Sequence, residues 1–346
     1  MSPTTDAPQP RTMVITGAAG WLGQNLVREV AGTRDAVRAL VLTEAEGTLL
    51  SVVAPSVQPV VGDVRDPTAL DRLFEGMHGA TVVHAAAIIH PARRVQELHD
   101  VNVGGTQLVL DRARRAGSGR FVHISSNSPF GANPSPKDRF TEDSPLNPYL
   151  GYGRSKADAE ALVTIAQARG DLETVILRPP WFYGPFQPAR QTQWFRAVRR
   201  GRFPLVGDGT NRRSMVFTGN LMHGVLRAEV ARGAVGRAYW IADGEPVEMR
   251  TILTTVREAL ALEGLPVSGG QPTLPRVAGV LAERLDALLQ SRGRYVQALH
   301  VLGELKDTIA CDIARAREEI GYDPPTDLLA GMRASIAWCL EHGLDL

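Results

Sequence analysis

The sequence predicts an α/β protein built on a doubly wound parallel sheet. Three observations carry that expectation. Short apolar runs alternate with amphipathic stretches from Met13 to Leu177, a glycine-rich turn joins the first run to the first amphipathic stretch, and the 346-residue chain is 44% hydrophobic, enough to bury a large sheet. Buried parallel strands read as near-continuous β-branched runs, and each helix between them must cover one sheet face.

Taken in order, the first eleven residues, MSPTTDAPQPR, are polar and proline-rich and are expected to form a disordered tail. MVIT, from Met13, is the first strand and WLGQNLVREV the first helix. VRALVL and VQPVVGD are strands, TALDRLF a helix, TVVHAA a strand, VGGTQLVLDRARRA a helix and FVHISS a strand. Past Leu177 the pattern changes. RPPWFYGPFQP is rich in proline and aromatics, and VGDGTNRRS reads as a turn before a strand. SMVFTGNLMHGVLRAEV and RAYWIADG read as a strand, a helix and a strand that rejoin the first sheet, while the remaining C-terminal segments read as helical. The expected division is therefore a sheet domain of residues 12–178 plus about 212–243, and a smaller, mostly helical part of about 179–211 plus 244–346 for the substrate.

Charge narrows the partner. Thirty-eight basic and thirty-seven acidic residues leave a formal charge of +1, against a nucleic-acid or membrane-surface binder and for a small-molecule substrate. No stretch reaches bilayer-spanning apolar length, so no integral membrane segment is expected. Cys311 and Cys339 are too few for a disulfide framework and too far apart for a CxxC site, which fits a reducing cytoplasm. His84, His90 and His123 have no cysteine or carboxylate at ligand spacing, so no metal is expected, and His123 reads as a satisfied, partly buried strand residue.

The chemistry starts at Gly17-Ala18-Ala19-Gly20-Trp21-Leu22-Gly23, which follows the first strand and opens into a helix. Glycines let the backbone turn sharply and approach a pyrophosphate, and a helix N-terminus offers free N–H groups. In that context the turn predicts a Rossmann-type domain binding a dinucleotide, NAD or NADP. Where the second strand ends, Thr43-Glu44-Ala45-Glu46 provides no basic residue for the extra phosphate of NADP, and its carboxylates would repel one, so NAD is favoured.

Tyr152-Gly153-Arg154-Ser155-Lys156 opens a helical stretch, KADAEALVTIAQA. Residues at i and i+4 share a helix face, so phenol and ammonium can enter one cleft. A phenol titrates near ~10 in water and a neighbouring cation favours the phenolate, so Lys156 is expected to bring Tyr152 towards working pH. The strand FVHIS delivers Ser125 and Ser126 at its carboxyl end, where open α/β sheets place ligands.

Together these residues resemble the extended short-chain dehydrogenase/reductase superfamily over almost the whole chain, from Met13 to about Gly343. TGAAGWLG is similar to its TGxxGxxG, and Gly62-Asp63, followed by Val64, to its GD, whose Asp contacts adenine. HAAA, His84 with Ala85, Ala86 and Ala87, resembles the segment lining the cofactor, and Asn102 the structural Asn of the family. The resemblance implies that Ser126 is the catalytic serine, Tyr152 the acid/base, and Lys156 the residue that holds the nicotinamide ribose and lowers the tyrosine pKa. Pro179, in LRPPWFYGP, would approach the carboxamide. It also implies a homodimer formed through the helices at about Val103 to Ala116 and Gly153 to Ala168.

Two branches compete for the substrate. LPRVAGVLAERLDALL onward resembles the 3β-hydroxysteroid and sterol-carboxylate dehydrogenase branch with its bacterial β-keto acid reductases, implying an apolar alcohol or ketone. GDGTNRRSMVFTGN resembles the nucleotide-sugar epimerase and dehydratase segment, in which Arg213 would bind a substrate phosphate; Arg212 and Arg213 read equally well as a solvated turn. Trp181, where sugar-nucleotide enzymes carry Asn, adds an apolar substrate wall, and Phe130 replaces the Tyr of SxxxVYG. Val277, Val280, Leu281, Leu285, Leu288 and Leu289 lie at helical spacing and are expected to face a core or form a lid, with membrane contact as the alternative. Trp194 and Phe195 either line the substrate pocket or pack behind it. The expected function is an NAD(P)-dependent oxidoreductase. A sugar-nucleotide epimerase or dehydratase is the alternative, and a redox-sensing binding protein is disfavoured by the intact Ser126, Tyr152 and Lys156.

Overall fold

A computed structural model describes residues 6–91 and 94–346. In chain order come β1 (Thr12–Thr16), α1 (Trp21–Val30), β2 (Ala36–Val41), α2 (Glu44–Val53), β3 (Val57–Val61), α3 (Pro67–Phe74), β4 (Thr81–His84), α4 (Gln96–His99), α5 (Thr106–Arg115), β5 (Arg120–Ile124), α6 (Leu150–Ala168) and β6 (Glu173–Arg178). Then follow β7 (Trp181–Tyr183), α7 (Ala189–Arg199), β8 (Leu205–Val206), β9 (Arg212–Arg213), β10 (Met215–Phe217), α8 (Thr218–Val230), β11 (Arg237–Trp240), β12 (Val247–Glu248) and α9 (Met249–Leu262). β13 (Thr273–Leu274), α10 (Arg276–Ser291), α11 (Gln297–Glu304), α12 (Ala314–Ile320) and α13 (Leu328–Glu341) complete the chain.

Seven strands form one parallel sheet in the order β3-β2-β1-β4-β5-β6-β11. Burial follows position: β4 and β5 are buried throughout, whereas β3, which carries Pro59 and so lacks one ladder donor, sits at the edge. Met13 and Ile15 of β1 pack with α1, α8 and α12 on one face, and Val14 packs with α3, α5 and α6 on the other. A third core joins α7, α9 and α13 through Phe195, Ile252, Met332 and Ile336.

Several expectations change. RAYW, as β11, extends the main sheet beside β6, but SMVF, as β10, does not rejoin it and pairs with β7 in a separate ribbon. The helix α8 intervenes and fills the space over the sheet with Leu221, Met222 and Val225. The apolar stripe of α10 does not face a core. Val277, Leu281, Leu285 and Leu288 are exposed, while Gly279, Ala282, Asp286 and Gln290 point inward. The reason is close packing on α11 and the turn after it: an added Cβ on Gly279 would stand 3.1 Å from the Lys306 side chain, and buried Asp286 bonds His300. Of the N-terminal segment, residues 1–5 lie outside the described residues; Asp6 pairs with Arg227 at 2.8 Å and the Ala7 amide donates to Val230. Among the described residues no helix is long and apolar enough to cross a membrane.

Candidate active site

The strand order reverses between β1 and β4, and their carboxyl ends open a crevice there. Gly17 turns the chain at φ +69°, and an added Cβ would stand 2.7 Å from the Ala86 amide nitrogen. Gly23 is as constrained, since its Cβ would fall 2.1 Å from the Gly17 carbonyl oxygen. Backbone meets backbone at both points. Gly20 caps α1 with no side-chain acceptor, leaving the first helical amides to an outside anion. Glycine cradle and free amides together fit a pyrophosphate. The Trp21 indole donates to the Pro185 carbonyl at 2.8 Å and its ring lies 4.6 Å from that of Phe182. Leu22 continues the wall, and the Ala19 carbonyl accepts from Gln24.

The adenosine end would lie across β2 and β3. Thr43 caps α2 by accepting from the Glu46 amide, and Glu46 in turn accepts from the Leu42 amide. Asp63 stands just past β3, held below the usual carboxylate range by its hydrogen bond with Arg65 at 2.7 Å. Val64 is buried against Gly105. Asn102, in a π-helical turn over Asp100–Gly105, accepts from the Ile88 amide at 2.8 Å and donates to the Ile88 carbonyl and the Ser155 hydroxyl, both at 2.9 Å. It thereby ties the segment after Ala85, Ala86 and Ala87 to the start of α6, and Ser155 donates onward to the Tyr152 carbonyl.

Ser126, Tyr152 and Lys156 converge on one cavity. Ser126 leaves the end of β5 and its Oγ accepts from the Ser128 amide at 3.2 Å. The helix α6 enters through Leu150 at φ +51°, a strained angle for a non-glycine residue, and delivers Tyr152 one turn before Lys156. Glu160, a further turn along, pins α6 to β6 through a buried ion pair with Arg178 at 2.7 Å. Burial pushes the Tyr152 phenol up to about 12, opposed by the adjoining Ser126 side chain and the Arg190 charge.

Lys156 differs from expectation. Its ammonium donates to the Ile124 carbonyl at 2.7 Å and lies 3.4 Å from His123 Nε2, on the strand side of the phenol. The cation acting on Tyr152 is Arg190. Burial pulls Lys156 down to about 8. His84 bonds Thr16 at 2.7 Å and Thr106 at 2.9 Å, and burial takes it down to about 3. His123 stacks on it but is fully buried with no partner for Nδ1, so it is less satisfied than expected.

The cavity encloses about 800 Å³. Its floor is the Rossmann edge with Ala85, Ala87, Ser126, Tyr152, Lys156 and Pro179; its walls come from β7, α7 and α11. Trp181 and Trp194 face each other at 5.0 Å on the lining, whereas Phe195 is fully buried behind it. Arg213 reaches the lining too, but it is buried and donates to the Glu304 carbonyl rather than lying in a solvated turn. Asp63, Val64 and Asn102 stay off this cavity. Sequence reasoning missed Arg190, His90, His300 and Glu304, which also line it. Arg190 and Trp194 lie four apart on α7, a helix the sequence analysis did not anticipate, and no local signal marked that face.

The chain is similar to several known proteins. Residues 13–242 match the family model described as the NAD dependent epimerase/dehydratase family. An uncharacterized protein of Sinorhizobium fredii is 42% identical over 96% of each chain. A ketoreductase of Stigmatella aurantiaca, acting on a 3-oxo-4-farnesyl-dihydroquinoline oxide, is 34% identical over 89% of this chain and 90% of its own. The NAD-bound crystal structure of dTDP-glucose 4,6-dehydratase from Streptomyces venezuelae superposes with a TM-score of 0.72 at 25% identity, covering 95% of this chain and 97% of that one.

Proposed function

The chain belongs to the NAD-dependent epimerase/dehydratase family of extended short-chain dehydrogenase/reductase enzymes, and on that premise we propose that it exchanges hydride between a nicotinamide and a secondary alcohol or ketone of an apolar small molecule. The observation that carries this reading is the meeting of Ser126, Tyr152 and Lys156 on a cavity walled by Trp181 and Trp194. The likeness to a ketoreductase of a farnesylated ketone supports it.

NAD(P), when bound, takes or supplies the hydride. Gly17, Ala19, Gly20, Trp21, Leu22 and Gly23 would hold its pyrophosphate, and Asp63 with Val64 its adenine. Ala85, Ala86, Ala87 and Pro179 would flank the nicotinamide half, with Asn102 bracing them. Glu44 and Glu46 at the end of β2 favour NAD over NADP. Tyr152 exchanges the proton of the reacting hydroxyl, and Ser126 hydrogen-bonds the same oxygen. Lys156 holds the ribose. The buried, un-ionised phenol suits a proton donor to a ketone oxygen.

Sugar-nucleotide epimerisation or dehydration is the second reading, favoured by Arg213 on the lining. Against it, that guanidinium is buried in the wall and donates to the Glu304 carbonyl, with the Glu304 and Asp307 charges favouring it, which leaves less of it for an added diphosphate. Residues 12–178 with 212–243 are read as the cofactor domain and the rest as the substrate part, consistent with the separate core of α7, α9 and α13. Ile165, exposed on α6 beside α5, supports pairing with a second copy, and the free, buried Cys311 and Cys339 suit a reducing compartment.

Purified protein incubated with NAD or NADP and a panel of 3-hydroxysteroids, β-hydroxy acids and sugar nucleotides tests the reading. Net reduced cofactor with an apolar alcohol is expected. A converted sugar nucleotide without net change in cofactor absorbance would replace it with the second reading. Tyr152→Phe should lower turnover by about a hundredfold or more while NAD(P) still binds.

A further inference from the structure

The helix α10 is packed inside out. It leaves Val277, Leu281, Leu285 and Leu288 in solvent and turns Asp286 and Gln290 inward. Burying a carboxylate while exposing four apolar side chains gains nothing from desolvation, so the inward residues have a reason of their own. That reason lies on α11. Asp286 is fully buried, Gln290 donates to both of its oxygens at 3.1 Å, and one of them bonds His300 Nδ1 at 2.8 Å. His300 is 6% exposed and lines the cavity of about 800 Å³ on the wall that α11 contributes. Among the described residues its Nε2 makes no hydrogen bond, and unlike His123 Nδ1 it is not a sealed atom.

A carboxylate at Nδ1 fixes the tautomer. The neutral ring keeps its proton towards Asp286 and offers the Nε2 lone pair to the cavity; the charged ring offers an N–H there. The groups facing His300 are Asp286 on α10, Glu304 on α11, Tyr295 between these helices, Tyr149 just before α6, and His90 after β4. Burial works against its charge, but the bond to Asp286 and the Glu304 charge outweigh burial and hold the ring above the usual histidine value. His90, on the same lining, moves the other way: burial and the Arg190 and His300 charges take it down to about 4, and it bonds the Tyr295 hydroxyl. Environments that drive like groups apart assign acid–base roles. We propose that His300 is a second acid–base residue of the cavity, with Asp286 as its positioning residue, and that Nε2 meets an oxygen of the substrate other than the one at Tyr152 and Ser126. The charged ring donates to a carbonyl at that place and the neutral ring accepts from a hydroxyl, while Asp286 stays ionised. Only the substrate contact rests on the oxidoreductase reading; the dyad stands on the packing of α10 and α11.

Diethyl pyrocarbonate acylates an open, unprotonated imidazole nitrogen and so reads the dyad without turnover. Wild-type, Asp286→Asn and Gln290→Leu proteins, each checked for fold by circular dichroism melting, are treated from about pH 5 to about pH 9, and the acylated histidines are identified by peptide mass. His300 should be acylated in the wild type with a midpoint above the ordinary 6.5, while buried His84 and His123 stay unmodified. Asp286→Asn should lower that midpoint by about one pH unit or more, and Gln290→Leu, which keeps the carboxylate, should leave it above 6.5. No acylation of His300, or a wild-type midpoint at or below 6.5, overturns the proposal whichever variant folds. An Asp286→Asn midpoint equal to that of the wild type overturns the part given to Asp286. With the alcohol that the panel turns over, kcat/KM of His300→Gln should fall about tenfold or more and lose the inflection at the acylation midpoint. An unchanged profile confines His300 to bridging the two helices and overturns the substrate contact. Absence of net reduced cofactor across the whole panel would instead refute the oxidoreductase reading, and the acylation midpoint would still decide the dyad.

Discussion

Lys156→Met should make the protein more stable at neutral pH while removing its activity. The Lys156 side chain is 2% exposed, its direct carbonyl acceptor is that of Ile124, and burial lowers it from 10.5 to about 8 despite the opposing charge of Glu160. The folded state thus binds this proton less tightly than the unfolded chain. Stability therefore rises with pH through the window from about 8 to 10.5, and below it the folded state bears the full cost. Near pH 7 that cost is about 3 kcal/mol. Removing the ammonium also strips the Ile124 carbonyl of its donor, which costs about 1–3 kcal/mol. The net expectation is a gain of about 1 kcal/mol for Lys156→Met near neutrality. Between about pH 7 and about pH 9.5 the wild type should recover about 2 kcal/mol relative to the variant, because other groups titrate in both. Urea unfolding of the two proteins at both pH values measures this difference. A stability gap that does not change with pH, with Lys156→Met the weaker protein throughout, would refute a charge held at a cost for chemistry.

Other expectations follow from the same geometry. Ser126→Ala should reduce turnover about a hundredfold at little cost in cofactor affinity, checked by steady-state kinetics beside an NAD titration. Asn102→Ala removes three hydrogen bonds that join the Ile88 segment to α6, and urea unfolding should register a loss of about 2–3 kcal/mol. Gly23→Ala should abolish cofactor binding in calorimetry, since its Cβ would lie 2.1 Å from the Gly17 carbonyl oxygen. Gly104→Ala, with nothing within 4 Å of the added carbon, should be tolerated within about 0.5 kcal/mol.

Much of this molecule is local and could be read locally. The apolar runs at Met13, Thr81 and Phe121 announce strands because each is buried on both faces of one sheet. TGAAGWLG is legible because Gly17 and Gly23 are required by contacts within the turn and with the segment just after β4, where no side chain fits. The pairing of Tyr152 with Lys156 is legible because helical spacing puts them on one face. The stripe on α10 shows the limit of that method. Its period is right for a helix, but which face turns inward depends on Gly279, Asp286 and the partner helix, and these placed Val277 and Leu281 in solvent.

The electrostatics of the site are the least local part. The order of Ser126, Tyr152 and Lys156 is written in the chain, yet the ammonium turns to the Ile124 carbonyl, and the charge beside the phenol comes from Arg190, 38 positions after Tyr152. Sequence alone determined most of the main sheet, the glycine-rich turn after β1 and the identities of the proposed proton-transfer residues, since each rests on spacings of a few residues. Tertiary structure alone decided which charges stand answered or unanswered in the cavity, because desolvation and Coulomb forces depend on distance through space and take no account of separation along the chain.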